Sequence, residues 1–219
     1  MILKLLDLFC CEGGAGTGYA RAGFHVVGVD IKNYPRNPHP IIVADAVDYC
    51  RAHGHEYDII HASPPCQSYS RAFRHMAKPQ PMLIDVIRKA LVETGKPWII
   101  ENVQGAPLTF ESDLFGAHGV LLCGTMFGLQ IYRHRLFETS FSLPYPPAHN
   151  HSKPAMNPFN NAGWHHIRTT HGIKHTPEKV WRLEMEVSWM SQKGAREAVP
   201  PRYTEWIGRH CSLSKLLEP

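Results

Sequence analysis

The chain has 219 residues, 43% of them hydrophobic and 19% charged. That composition excludes a disordered chain or a coiled coil and suits one well-cored domain. Lys+Arg 23 against Asp+Glu 19 gives a formal charge of +4, which permits a nucleic-acid partner without requiring one. The apolar runs are too short to span a bilayer, and the first residues lack the pattern of a secretory signal. Six cysteines without a repeated CxxC argue against a disulfide framework or a zinc knuckle. A cytoplasmic, monomeric protein with no membrane contact is expected.

In chain order, Ile2 to Leu8 reads as a buried strand, followed by a glycine-rich turn from Glu12 to Gly18. Tyr19 to Gly23 reads as the end of a helix, and His25 to Asp30 as a second strand with a carboxylate at its tip. Tyr57 to Ala62 is a third, running into Ser63-Pro64-Pro65. Over 81–94 the helical period places Met82, Val86, Ile87, Ala90 and Leu91 on one face. Lys96 to Glu101 is the next strand, and the Arg133-His134-Arg135 run enters another. Strands alternating with helices, with polar residues at the strands' carboxyl ends, predict an open α/β sheet whose ligand sits outside those ends. From residue 141 to 187 the pattern dissolves into Pro, Asn and His. It recovers at Trp189-Met190, and from Tyr203 to Leu217 as a helix. The expected organisation is a core over 1–140, an irregular insertion over 141–187 and a return to the core over 188–219.

The glycine turn after Asp7 lacks both the GxxxxGK[ST] and the GxGxxG phosphate patterns. With Asp30 able to bond ribose hydroxyls and Asp45 able to face an adenine amino group, it outlines a nucleoside pocket without a phosphate site; either Asp alone reads first as a helix cap or a solvated loop residue. Cys66 follows Pro64-Pro65, which stiffen the turn and project its thiol from a strand end. A lone cysteine is commonly a small buried hydrophobe, but this setting points to a nucleophile. The other five cysteines are expected to pack. Glu101, at the end of a buried strand, would hold its proton tightly and could donate to a ring nitrogen, or could serve as a cap. Arg133 and Arg135 would share one strand face, bracing an oxygen or facing water. Five histidines lie between His149 and His171 (His149, His151, His165, His166, His171). Their spacing is irregular and no Cys or acidic partner is near in sequence, so no metal site is expected.

DLFCCEGG (Asp7 to Gly14), PPCQS (Pro64 to Ser68), IIENV (Ile99 to Val103) and YRHRLFE (Tyr132 to Glu138), in this order, resemble the core motifs of the SAM-dependent cytosine-C5 DNA methyltransferases. AVPPRYTEWIG (Ala198 to Gly208) resembles a variant of the closing motifs found in short phage-type members. The resemblance implies a Rossmann-like α/β methyltransferase sheet with helices on both faces and S-adenosylmethionine as cofactor. It further implies C5 methylation of a flipped cytosine in double-stranded DNA, in a phage or restriction-modification setting. In the cofactor pocket Phe9, Gly13 and Gly14 would border SAM, Asp30 with Ile31 would hold its ribose, and Asp45 with Ala46 would face its adenine. Cys66 would attack C6, Glu101 would contact N3 and the exocyclic amine, and Arg133 and Arg135 would support the base. Pro65 would touch the flipped base, and Asn102 would fix the nucleophile's loop. Gln67, Ser68 and Arg71 would belong to a loop that closes over DNA. Cys11, Glu12 and Ile131 depart from the family pattern. So does the short segment 141–187, where members carry a sizeable target-recognition domain. RNA or a free pyrimidine nucleotide as substrate, a modified SAM, or a silent DNA- or SAM-binding module stand as alternatives.

Overall fold

The computed structural model describes residues 2–66, 82–110, 112–113, 116–151 and 178–211. Its elements are β1 (Lys4–Leu8), α1 (Gly14–Arg21), β2 (His25–Asp30), β3 (Ile41–Val43), α2 (Ala46–His53), β4 (Ile59–Ala62), α3 (Ile84–Glu93) and β5 (Trp98–Asn102). They continue with β6 (Ser112–Asp113), β7 (Gly116–Leu122), β8 (Arg135–Leu143), α4 (Glu178–Glu184), α5 (Gln192–Glu197) and α6 (Pro201–His210). Eight strands form one sheet in the order β3-β2-β1-β4-β5-β8-β7-β6. β1 to β5 pair in parallel, whereas β8, β7 and β6 add an antiparallel edge. This is a Rossmann-like α/β fold.

The parallel strands are apolar on both faces because both are covered. Leu5, Ile59 and Ile99 pack with Tyr19 of α1 and with Tyr203 and Ile207 of α6. Their neighbours Leu6, Ile60 and Ile100 pack instead with Val47 of α2 and Ile87 and Leu91 of α3. The chain leaves β1 toward β2 and β3, then returns to β4 on the opposite side of β1. Such a switch in direction opens a crevice at the carboxyl ends of β1 and β4.

Two expectations need correction. The buried stripe of α3 is Ile84, Ile87, Ala90 and Leu91; Met82 precedes the helix and is 66% exposed, and Val86 is 41% exposed. Ile84, not Met82, supplies the inward position one turn before Ile87. Arg133 precedes β8, so it does not share a strand face with Arg135. Met185 and Val187 join the layer containing Leu5 and Tyr203. β8 runs to Leu143, and most of the expected insertion over 141–187 lies outside the described residues. Among those residues no helix is long and apolar enough to cross a membrane.

Candidate active site

The loop leaving β1 turns by visiting the left-handed region three times, at Phe9 (φ 60°), Cys11 (φ 44°) and Gly13 (φ 81°). Only Gly13 does so without steric cost, and its missing side chain admits Asn37. Phe9 and Cys11 are therefore held by their surroundings. The Cys11 N–H donates to Asp30 Oδ2 at 3.0 Å, and Asn37 Nδ2 donates to the Cys11 carbonyl at 3.0 Å. Glu12 is buried, accepting from Ser191 N at 2.6 Å and Ser191 Oγ at 2.5 Å, while its carbonyl accepts from Trp189 Nε1. Two of the departures from the family pattern, Cys11 and Glu12, thus meet at the same pocket wall. Cys11 lies there rather than packing away, and Glu12 also clasps the C-terminal segment.

Across the crevice, β4 ends in Ser63-Pro64-Pro65-Cys66 and β5 ends in Glu101-Asn102. Asn102 Nδ2 donates to the Pro64 carbonyl at 2.9 Å, tying the two ends together. Glu101 is buried beside Arg135, whose Nε lies 2.9 Å from Glu101 Oε1 as a close ion pair without hydrogen-bond geometry. Burial raises the Glu101 carboxyl above its ordinary value, against the pull of Arg135, a Ser63 hydrogen bond and Arg133. Burial likewise raises the Cys66 thiol, with Arg135 pulling it down and Glu101 pushing it up.

Behind Glu101 runs a buried polar chain that sequence reasoning passed over. His61 Nδ1 meets Tyr19 Oη at 3.0 Å and its Nε2 meets Ser63 Oγ at 2.9 Å. Burial lowers the imidazole to about 3, so it is neutral at physiological pH and carries one ring proton. Each ring nitrogen thus has one hydroxyl partner, and Ser63 in turn reaches Glu101. The signal available in the sequence was a histidine inside the apolar run YDIIHA, a costly placement without partners.

One cavity of about 540 Å³ joins these parts, within the range of small-molecule sites. It is lined by Phe9, Gly14, Asp30, Ile31, Asp45 and Ala46 on the β1–β3 side and by Pro65, Cys66, Glu101 and Arg135 on the β4–β8 side. Asp30 accepts from Cys11 and Lys32 N–H groups. Asp45 combines two expectations, capping α2 through Oδ1 while lining the cavity. Gly13, Asn102 and Arg133 stand behind its wall. Arg133 Nε donates to the Ala198 carbonyl at 2.8 Å and a terminal nitrogen donates to the Arg196 carbonyl at 2.6 Å. Gln67, Ser68 and Arg71 lie outside the described residues.

Met190, Lys193, Glu197 and Val199 close the cavity from the C-terminal segment; Met190 and Val199 fall in stretches marked in the sequence only as a return of periodicity and a closing motif, and Lys193 and Glu197 carry no signal there. Nor did the sequence single out Asp7 as a wall residue. Asp7 is buried, its oxygens lack a well-formed hydrogen bond, and burial, with Asp30 and Glu101 nearby, pushes it up to about 7 despite the Gly16 N–H.

The Rossmann-like fold and its cavity bring a thiol, a carboxyl raised by burial and a guanidinium together at the carboxyl ends of the parallel strands. The sequence profile of C-5 cytosine-specific DNA methylases matches residues 3–137. The chain belongs to that family, whose cofactor is S-adenosylmethionine. No curated protein sequence matches it. Among solved structures it is similar to one described as a DNA modification methyltransferase encoded within an E. coli prophage, at 22% identity and a TM-score of 0.45, covering 63% of this chain and 46% of that one. It is also similar to a Spodoptera frugiperda DNMT2 mutant, at 19% identity and 0.43, covering 69% and 52%. The S. pombe Dnmt2 methyltransferase matches at 20% and 0.44, covering 64% and 49%. The chain spans about half the length of these structures.

Proposed function

We propose that this protein methylates C5 of cytosine in duplex DNA through a transient covalent bond to Cys66. The observation that carries the reading is that Cys66, Glu101 and Arg135 share one cavity with Asp30, Ile31 and Phe9. Asp30 is suited to the ribose of S-adenosylmethionine, Asp45 and Ala46 to its adenine, and Phe9 and Gly14 to its flanks. Gly13 shapes the turn that brings Gly14 to the wall. When bound, S-adenosylmethionine supplies a methyl group made electrophilic by its sulfonium.

The protein's task is to make cytosine C5 nucleophilic. The Cys66 thiolate adds to C6, forming a carbon–sulfur bond, while Glu101 delivers a proton at N3. The ring then has enamine character and its electron density is directed to C5. After methylation the C5 proton passes to solvent water, its electron pair re-forms the C5–C6 double bond as the carbon–sulfur bond breaks and releases the Cys66 thiolate, and the N3 proton returns to Glu101. Arg135 stabilises the thiolate and orients Glu101. Arg133 acts one layer back, holding the C-terminal wall, and Asn102 fixes the Pro64-Pro65-Cys66 turn so that Pro65 can face the base. A cytosine reaches so enclosed a site only by leaving the helix stack, at a cost of roughly a few kcal/mol. Gln67, Ser68 and Arg71, directly after the nucleophile, are assigned to the DNA side, where the arginine can neutralise phosphate.

The test is a duplex carrying 5-fluorocytosine, offered with S-adenosylmethionine. Fluorine cannot leave C5 as a proton does, so the adduct persists and gives a denaturation-resistant complex whose mass is chain plus DNA plus methyl. The complex should form with the native protein and be absent with Cys66→Ala. A complex only with fluorocytosine RNA would move the substrate, and none with any nucleic acid would defeat the covalent reading.

A further inference from the structure

On the far side of Arg135 from the cavity, four side chains converge that the methyl-transfer reading does not use. The β7–β8 register pairs Leu122 with Arg135; one step further along the antiparallel ladder, Cys123 comes opposite His134. The chain beyond β8 then returns His149 and His151, whose spacing of two in an extended segment puts both on one side. The approach is by one atom of each. His134 Nε2 lies 3.1 Å from His149 Nε2, His149 Nε2 lies 2.8 Å from His151 Nε2, and His151 Nε2 lies 3.5 Å from Cys123 Sγ. All four ligand atoms fall within 4.8 Å of one another.

Hydrogen bonding alone explains this poorly. A neutral imidazole has one N–H, yet His149 Nε2 faces two other Nε2 atoms at once. A cation at the common centre makes every one of these lone pairs favourable. A tetrahedral zinc with bonds of ~2.0–2.1 Å to nitrogen and ~2.3 Å to sulfur has edges of roughly 3.3–3.6 Å. The Cys123–His151 edge already matches, the His134–His149 and His149–His151 edges need to open by roughly 0.2–0.6 Å, and the other three edges are no longer than 4.8 Å. Neighbouring contacts hold two of the ligands: Thr125 Oγ1 donates to Cys123 Sγ at 3.5 Å, and Tyr132 donates to the His151 carbonyl at 2.8 Å while stacking on its ring.

We propose that Cys123, His134, His149 and His151 bind one zinc ion in a closed, four-ligand structural site. The donor set of one thiolate and three imidazoles suits zinc over the oxygen-seeking cations, and four protein ligands leave no open position for catalysis. The ion would fasten the stretch after β8 to the strand end that carries Arg135. The sequence hid the site because Cys123 and His134 are remote from the histidine-rich segment and only the β7–β8 ladder brings them to it.

The test uses the full chain purified without a histidine tag. Metal analysis should find one zinc per chain, and cobalt in its place should give intense tetrahedral absorption with a sulfur-to-cobalt charge-transfer band. Cys123→Ser should abolish that band, and the double variant His149→Ala, His151→Ala should retain zinc at least tenfold more weakly. His55→Ala, at an exposed histidine elsewhere, should behave as native. If the variants fail to fold, the native protein's cobalt spectrum decides. A chain without stoichiometric zinc whose cobalt spectrum is that of the hydrated ion, tetrahedral cobalt without the sulfur band, or zinc retention unchanged in both variants would each overturn the site.

Discussion

Glu101 and Cys66 make opposite demands on Arg135. In the proposed mechanism the thiol must ionise to attack, which the guanidinium favours, whereas the carboxyl must retain a proton, which the guanidinium opposes. Burial settles the balance for Glu101, raising it more than Arg135 lowers it. Glu101→Gln keeps the shape but cannot pass a proton to N3, so turnover should fall by roughly 10²–10⁴-fold while cofactor binding is retained. Single-turnover kinetics with calorimetric SAM binding would check this, and native rates would reduce Glu101 to a structural partner of Arg135. Asp7 gives a second residue-level expectation. Its pKa of about 7 exceeds the ordinary 3.8, so between those values the folded state holds a proton that the unfolded chain has released. Its contribution to stability is therefore present at low pH, declines as pH rises toward 7, and stays lost above it. Asp7→Asn should melt close to the native protein near pH 4 and above it near pH 8. A melting difference independent of pH would contradict the assignment.

At the level of elements, the cavity depends on the contact between α1 and α6. Gly18 is where these helices touch most closely, and an added methyl would meet Thr204 Oγ1 and the Pro201 carbonyl. Thr204 meanwhile donates to the Ala15 carbonyl at 2.8 Å. Gly18→Ala should lose on the order of 1–3 kcal/mol through overpacking, outweighing its gain in helix propensity. It should also weaken SAM binding, because α5 and the Ala198-Val199 wall are attached to α6. A denaturant midpoint equal to the native one would show that the helices simply part. The elements legible in the sequence were those whose period and punctuation agree. β2 was read with its observed ends because Gly23 and Asp30 bracket an apolar run, and β4 was clear because YDIIHA stops at two prolines. Arg133 was misplaced because its role is set by carbonyls of residues 196 and 198, a contact with no local trace. The same is true of Glu12 and Ser191, partners separated by most of the chain.

For the whole molecule, the reversal of strand order between the parallel strands β1 and β4 brings the glycine turn and the Cys66 turn to one crevice. The motifs of the nucleophile and carboxyl were visible in sequence because each sits at a strand end and is built from adjacent residues. The polar chain Tyr19-His61-Ser63, the C-terminal wall and the cysteine–histidine cluster were not, since each is assembled across distant segments by the sheet. The central claim is that this assembly directs a methyl group to cytosine C5 through Cys66. Its most direct measurement is transfer of labelled methyl from S-adenosylmethionine to duplex DNA, followed by digestion to nucleosides, with Cys66→Ala alongside and SAM affinity measured for both. The account predicts label in 5-methylcytosine with the native protein and at least a roughly thousand-fold loss in the variant at unchanged SAM affinity. Label on the exocyclic nitrogen, or undiminished transfer by Cys66→Ala, would contradict it.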